Sequence, residues 1–394
     1  MTPPVAVILG IRPDVIRASL ILERLQGARD VPVVFIWSGQ HYSDNLKDVF
    51  FRELRVRAPD VELGASAEGD ADIVAKLLPA LSATLAELKP QAAVFLGDTN
   101  TVLGAIVPGQ LNIPIVHIEG CMRSYDWRMP EEKYRTIADH LSDVIYAYLE
   151  EYRAQGVAEG LDPDRIIVTG NPIVDVLDRY YFDRLDHFEA RRTAQFFRAR
   201  DIEPGEYCVM TCHRRENVHD LAALTRILAL VRAIERRVYF AASYRTQRVI
   251  REHRLQVPEN LTIVDPIGYE EFLLLMTSAW AVLTDSGTVV EEACILHVPA
   301  VQMRRSTERP QVYDVGACVK FDPTNPDPSA AEVAVAKLNG VQARRWDQPF
   351  GDGRASQRIA DDLLARARGH GFDRHRPEDY HLDVRRAYRP DGLK

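Results

Sequence analysis

The sequence predicts an α/β protein of two doubly wound parallel-sheet domains facing a central cleft. Three observations support this. The 394 residues exceed one ordinary core and suit two domains of about 150–200 residues each. Short β-branched apolar runs alternate with helix-period segments from end to end. Those runs are continuously apolar rather than alternating, as strands buried on both faces of a helix-covered parallel sheet must be.

In the first half the strand candidates are 5–10, 31–37, 92–97, 114–118, 144–149 and 165–169. In the second half they are 207–212, 238–242, 261–264, 279–284, 299–303 and 317–321. Gly170-Asn171-Pro172 punctuates the chain, which puts an N-terminal Rossmann-like domain at 1–172 and a C-terminal one at 173–365. Residues 183–200, rich in Arg and Asp, read as a solvated connecting helix. The polar segment 366–394 reads as a surface extension.

Composition narrows the function. Hydrophobic residues make up 46% and charged residues 27%, normal for a globular protein. A net charge of -8 argues against nucleic acid or an anionic membrane as partner, because both reward a basic surface. Any bound anion must be drawn by a local cluster of Arg, His and backbone N–H. The five cysteines are odd in number and show no CxxC spacing, so they read as reduced thiols in a cytoplasmic chain, with no metal site. No apolar stretch approaches the roughly 20 residues of a membrane span.

In doubly wound sheets, ligands sit beyond the carboxyl ends of the strands. The first strand runs into Gly10-Ile11-Arg12-Pro13-Asp14. An Arg before a Pro-started helix sets a guanidinium beside free backbone N–H groups, a good phosphate contact, although a surface ion pair explains it equally well. GxGxxG is absent, and nothing indicates a dinucleotide or any other redox cofactor. Further on come Gly97-Asp98-Thr99 and His117-Ile118-Glu119, then Pro130-Glu131-Glu132 opening a helix that carries Arg135. Asp98, Glu119 and Glu131 therefore gather at neighbouring element ends, where carboxylates sharing a crevice raise one another's pKa. Acids at positions 131 and 132 also serve the helix dipole, and Glu131–Arg135 is also a plain i,i+4 pair.

The second half supplies the opposite charge. The strand at 207–212 runs into His213-Arg214-Arg215-Glu216-Asn217, a cationic cluster that suits a nucleoside diphosphate. Thr284-Asp285-Ser286-Gly287-Thr288 is strand, small-residue turn and helix start, a phosphate cradle with the N–H groups of Ser286, Gly287 and Thr288 pointing outward. Glu292 lies one turn beyond Thr288, within reach of ribose hydroxyls. The stretch 265–272, with Phe272, offers a base pocket.

These pieces, in this order, resemble the non-hydrolysing UDP-N-acetylglucosamine 2-epimerase family. The carrying motifs are Gly10-Ile11-Arg12-Pro13-Asp14, Ser38-Gly39-Gln40-His41, Gly97-Asp98-Thr99, His117-Ile118-Glu119, Pro130-Glu131-Glu132 and His213-Arg214-Arg215-Glu216-Asn217. Asp285-Ser286-Gly287, Glu291-Glu292-Ala293, Glu308-Arg309-Pro310 and Phe350-Gly351-Asp352-Gly353 complete the set. The resemblance implies the GT-B arrangement and a homodimer. It implies a UDP-aminosugar held by Arg12, Arg17, Arg135, Arg214, Phe272, Ser286, Gly287, Thr288, Glu292 and Arg309. It places Asp98, Glu119, Glu131 and His213 in the chemistry, which it implies to be elimination of UDP to a 2-acetamidoglucal and re-addition to the opposite face. Gln40 and His41 match a region linked to regulation. The chain departs from the pattern at Asp14 (usually Glu), Arg17 (usually Lys), Gly120-Cys121 (usually Ala-Gly), Thr288 (usually Gly) and Phe350 (usually Tyr). A usual His is lost in Ala242-Ser243-Tyr244-Arg245. Several of these features resemble the branch acting on UDP-N-acetyl-6-deoxy-L-sugars or other modified aminosugars. A hydrolysing 2-epimerase, a glycosyltransferase of the same fold and an inactive UDP-sugar sensor stand as alternatives.

Overall fold

The computed structural model describes residues 2–39, 51, 54–67, 69–342 and 345–372. Two parallel sheets organise it. The first contains Val5–Leu9 (β1), Val33–Trp37 (β2), Val61–Glu62 (β3), Ala92–Leu96 (β4), Ile115–Ile118 (β5), Val144–Ala147 (β6) and Ile166–Val168 (β7), in the order β3-β2-β1-β4-β5-β6-β7. The second contains Tyr207–Thr211 (β8), Arg237–Ala241 (β9), Leu261–Val264 (β10), Ala281–Thr284 (β11), Ala300–Met303 (β12) and Cys318–Phe321 (β13), in the order β10-β9-β8-β11-β12-β13. Every pairing is parallel. The strand order reverses between β1 and β4 and between β8 and β11, which opens a crevice at each switch point.

Continuous apolar character has the predicted consequence. β1 and β4 are buried at every position, because helices cover both faces of the sheet. All twelve predicted strand runs form strands, with ends that differ by at most two residues. β3 was not anticipated. It is two residues long and pairs only Val61 and Glu62 with the end of β2, too short for any periodicity to show.

Two expectations need correction. Residues 183–200 do not form one solvated helix. Leu185–Arg191 and Ala194–Arg198 are separate helices, and the Thr193 hydroxyl caps the second by accepting the Phe196 N–H at 3.1 Å. Phe188 and Phe197 are buried in the core, while Arg184 and His187 reach Glu270. The segment beyond 365 does not start as a free extension either. Arg366–His370 prolongs the helix Ala355–Ala365, and Phe372 is buried.

The helix Ala355–Ala365 follows the second sheet in sequence, yet it packs on the helix Arg12–Gly27 of the first. Asp175 fixes it there, accepting the N–H groups of Ala355 (3.1 Å) and Ser356 (2.7 Å), while Tyr146 donates to Asp362 at 2.6 Å. Asp175→Ala strands two buried N–H groups at a helix start. It is expected to lower unfolding stability by about 1–3 kcal/mol, read as a fall in the denaturant midpoint, with the cleft described below unchanged.

Candidate functional site

The carboxyl ends of both sheets face one cleft of about 1040 Å³. Its wall on the first-sheet side carries Arg17, Asp98 and Glu131, and on the second-sheet side His213, Arg214, Ser286, Gly287, Thr288 and Arg309. Nine of the fourteen residues singled out from the sequence thus share one surface. Glu119, Arg135, Arg12, Phe272 and Glu292 are not on that wall.

Glu119 lies directly behind it. The residue follows β5 with φ of +76°, a strained conformation for a non-glycine, and it is 1% exposed. Two guanidiniums clasp its carboxylate: Arg17 from the first unit, and Arg309 from the second at 2.9 Å. Arg17 also donates to the Thr288 hydroxyl at 2.5 Å. Arg309 continues to Glu291 at 2.6 Å and Glu308 at 3.2 Å. Gly287 makes room for this, since a Cβ there would collide with the Arg309 guanidinium. Burial works against the Glu308 charge, but Arg304, Arg214 and Arg309 together hold that carboxyl well below its ordinary range.

Asp98 pairs with the fully buried Arg135, which also donates to the Met122 carbonyl at 3.2 Å. Arg135 thus acts through Asp98 and does not reach the cleft itself. Glu131 faces Arg214 at 3.8 Å. Burial raises the Glu131 carboxyl above its usual value, and Arg214 only partly offsets this. The neighbouring Glu132 is occupied structurally, accepting the N–H groups of Ser124 and Tyr125 at 2.9 Å each.

Across the cleft, buried Asp285 organises the turn after β8. It accepts the N–H groups of His213 (3.0 Å) and Arg214 (2.9 Å) and the Asn217 amide (3.1 Å). The half-exposed His213 ring stands with Nδ1 3.4 Å from the same carboxylate. The cradle differs from expectation in one respect. Ser286 spends its own N–H on the Thr284 hydroxyl (3.0 Å) and caps the helix through Val289 (3.3 Å). The first-turn amides of Gly287 and Thr288 have no intrahelical acceptor and lie at the cleft surface.

Two expected contacts lie deeper than the sequence suggested. Glu292 is 2% exposed and accepts the Tyr269 hydroxyl at 2.7 Å; burial pushes its carboxyl up to about 8. Phe272 packs into the core on the inner side of the helix Tyr269–Thr277. Arg12 is part-buried at its helix start, between cleft residues Ile11 and Pro13. Gln40 and His41 lie outside the described residues.

Several contributors were missed. Asp70 pairs with Arg215 across the cleft mouth. Ser306 donates to Asp126 at 2.8 Å, and Arg304 reaches the Met129 sulfur at 3.3 Å, closing a second seam. Nothing local marks Asp70 or Asp126 as more than surface acids. Glu291 and Glu308 stood inside quoted motifs, but only their placement around Arg309 shows what they do. Among the described residues, no group of His, Cys, Asp and Glu has the arrangement of a metal site.

With this geometry in view, comparison with known proteins is decisive. The family model described as UDP-N-acetylglucosamine 2-epimerase matches residues 23–364. The chain belongs to that family. A UDP-N-acetylglucosamine 2-epimerase of Methanocaldococcus jannaschii is 34% identical over 363 residues, spanning 90% of this chain and 97% of that one. The crystal structure of the M. jannaschii UDP-GlcNAc 2-epimerase in complex with UDP-GlcNAc and UDP superimposes with a TM-score of 0.82 at 32% identity, covering 92% of this chain and 99% of that one. A UDP-2,3-diacetamido-2,3-dideoxy-D-glucuronate 2-epimerase of Pseudomonas aeruginosa is 29% identical, spanning 90% of this chain and 98% of its own. The family and the two-domain fold read from the sequence are therefore both correct.

Asp14, where this 2-epimerase family usually has Glu, gives the site a pH-dependent element. Its carboxylate accepts the Gly10 and Ile11 N–H groups at 3.1 Å each, and burial pushes it up to about 7. The folded state therefore holds a proton that the unfolded chain, at an ordinary value of 3.8, gives up earlier. The stability tied to that proton is complete below about pH 4, falls as pH rises toward about 7, and is gone above it. Asp14→Asn keeps an acceptor oxygen and lacks the titration. Denaturant unfolding across this range is expected to show the wild type losing stability relative to the variant between those two values, then a constant difference.

Proposed function

We propose that this enzyme inverts carbon 2 of a UDP-N-acetylaminosugar, UDP-GlcNAc to UDP-ManNAc or a modified analogue, through a 2-acetamidoglucal. What carries the reading is one opposition. Asp98 and Glu131 line the first-unit wall of a single cleft with Glu119 directly behind it, and His213, Arg214, Arg309 and the helix start at Gly287 form the second-unit wall. Elimination needs both halves at once. A carboxylate takes the carbon 2 proton, the carbon 1–oxygen bond breaks, and its electron pair leaves with UDP. Cations and helix-terminal amides on the other wall stabilise the departing diphosphate. Re-addition reverses each step: the UDP oxygen attacks carbon 1 while a proton reaches carbon 2 from the opposite face. Protons and electrons balance without a redox partner.

Glu131, raised by burial, suits the proton-donating role, and Glu119 suits proton removal. The diphosphate enters beside Arg17 and Arg309, the two groups that neutralise Glu119. It competes for both guanidiniums, so nucleotide binding returns charge to the carboxylate that needs it. Closure around the sugar keeps water from the glycal. The family resemblance supports, as part of this reading, a homodimer in the cytoplasm.

Proton NMR of the protein with UDP-GlcNAc in deuterated water tests the reading. Deuterium at carbon 2 of a UDP-linked product is expected. Free N-acetylmannosamine would instead establish a hydrolysing enzyme, and binding without exchange of any UDP-aminosugar would reject catalysis. Glu119→Gln is expected to keep UDP affinity and lower turnover by about 10²-fold; normal turnover would remove Glu119 from the mechanism. His213→Ala is expected to weaken UDP binding, as measured by calorimetry, and to slow elimination.

A further inference from the structure

Beneath the carboxylates lies a histidine that the proposed chemistry does not use. His117, on β5, is completely buried. Its Nδ1 lies 2.7 Å from Asp139 Oδ1, and its Nε2 lies 2.8 Å from the Gly97 carbonyl oxygen. A carbonyl oxygen only accepts, so Nε2 carries a proton. Asp139 is engaged elsewhere as an anion: its Oδ2 accepts the Cys121 N–H at 2.9 Å and faces Arg123 at 2.8 Å. Oδ1 is therefore an acceptor too, and Nδ1 also carries a proton. We infer that His117 is a doubly protonated positioning residue, a buried imidazolium that ties the strand end bearing Asp98 to the strand end bearing Glu119.

Charged groups of both signs surround the pair, and of these Asp139 is the one in contact with the ring. Asp139 arrives from the helix Pro130–Leu141, and Arg123 shares it while pairing with Glu159 at 2.8 Å. Arg165 approaches the Asp139 backbone carbonyl at 3.4 Å. Gly120 leaves the space, since a Cβ there would press on Asp139 Oδ1 and Ile145. Gly97 and Glu119, the residues on either side of this tie, both have positive φ. A charged, two-ended hydrogen bond holds such backbone in place more firmly than a neutral ring, which can donate only once. The positioning role rests on the carboxylate mechanism proposed above; the protonation state does not.

Two measurements separate these. In protein labelled with nitrogen-15 at histidine, His117 is the only buried histidine among the described residues, so its ring N–H protons are shielded from solvent. At neutral pH two shielded N–H protons on one ring are expected; one N–H with a neutral-tautomer nitrogen beside it would overturn the inference. His117→Gln and His117→Asn each keep at most one of the two bonds. They are expected to bind UDP within about twofold of wild type and lose about 10²-fold in turnover, as small misplacements of reacting groups do. A folded variant with normal turnover would overturn the positioning role. If neither variant folds, the ring signals of the wild-type protein decide. Absence of carbon 2 exchange in the wild type would reject the enzyme reading and leave the ring signals standing.

Discussion

Two guanidiniums from opposite units share the Glu119 carboxylate, and much of the molecule is arranged so that they can. Arg17 comes from the helix after β1 and Arg309 from the loop after β12, and both are buried with their partner. Taking three such charges out of water is tolerable only when each has close partners. Thr288, Glu291 and Glu308 supply them. Tyr152 adds a further seam, its hydroxyl reaching the Glu308 carbonyl at 3.1 Å and Gln311 at 2.9 Å. The units therefore meet through charge, and three of the groups that join them, Arg17, Thr288 and Arg309, also line the cleft.

Parallel topology explains why this concentration occurs. Every strand of each sheet points the same way, so the strand ends present Arg12, Asp98 and Glu119 on one side and His213, Ser286 and Arg304 on the other. Chain reversal at those ends leaves first-turn amides and short loops facing the cleft. The backbone at the busiest ends is strained. Glu119 and Cys121 both have positive φ, and Cys121 occupies the place where the family usually has glycine. Its N–H bond to Asp139 and its packing against Gly156 show what holds a non-glycine there.

Much of this was legible in the sequence because it follows from local pattern. Continuous apolar runs marked the strands, and residues just past them marked the cleft. What stayed hidden depends on pairing between distant residues. Nothing near Arg17 announces Glu119 or Thr288. Nothing near Asp70 announces Arg215, 145 positions away. Burial depth was also illegible: Glu292 and Phe272 sit at plausible spacings for ligand contact, but helix rotation turns both inward. The segment 183–200 misled for a related reason, since its Arg and Asp content concealed two phenylalanines that anchor broken helices to the core.

The return of the last helix to the first unit bears on how the cleft works. The chain crosses between units twice, and the crossings lie side by side: the Asn171 N–H donates to the Phe350 carbonyl at 2.8 Å. Gly170 and Gly351 face one another there with positive φ, and a Cβ on Gly351 would lie 3.2 Å from the Gly170 Cα. Glycine at both positions lets two backbones approach more closely than side chains permit. Because both connections run through one narrow place, neither sheet has to break for the units to turn about it. In this arrangement the cationic wall is held against the carboxylates by bonds that cross between the units, Arg309 to Glu119, Arg17 to Thr288 and Tyr152 to Gln311. Two sheets with a narrow double connection combine a fixed constellation within each unit with a contact between units that is built from charge.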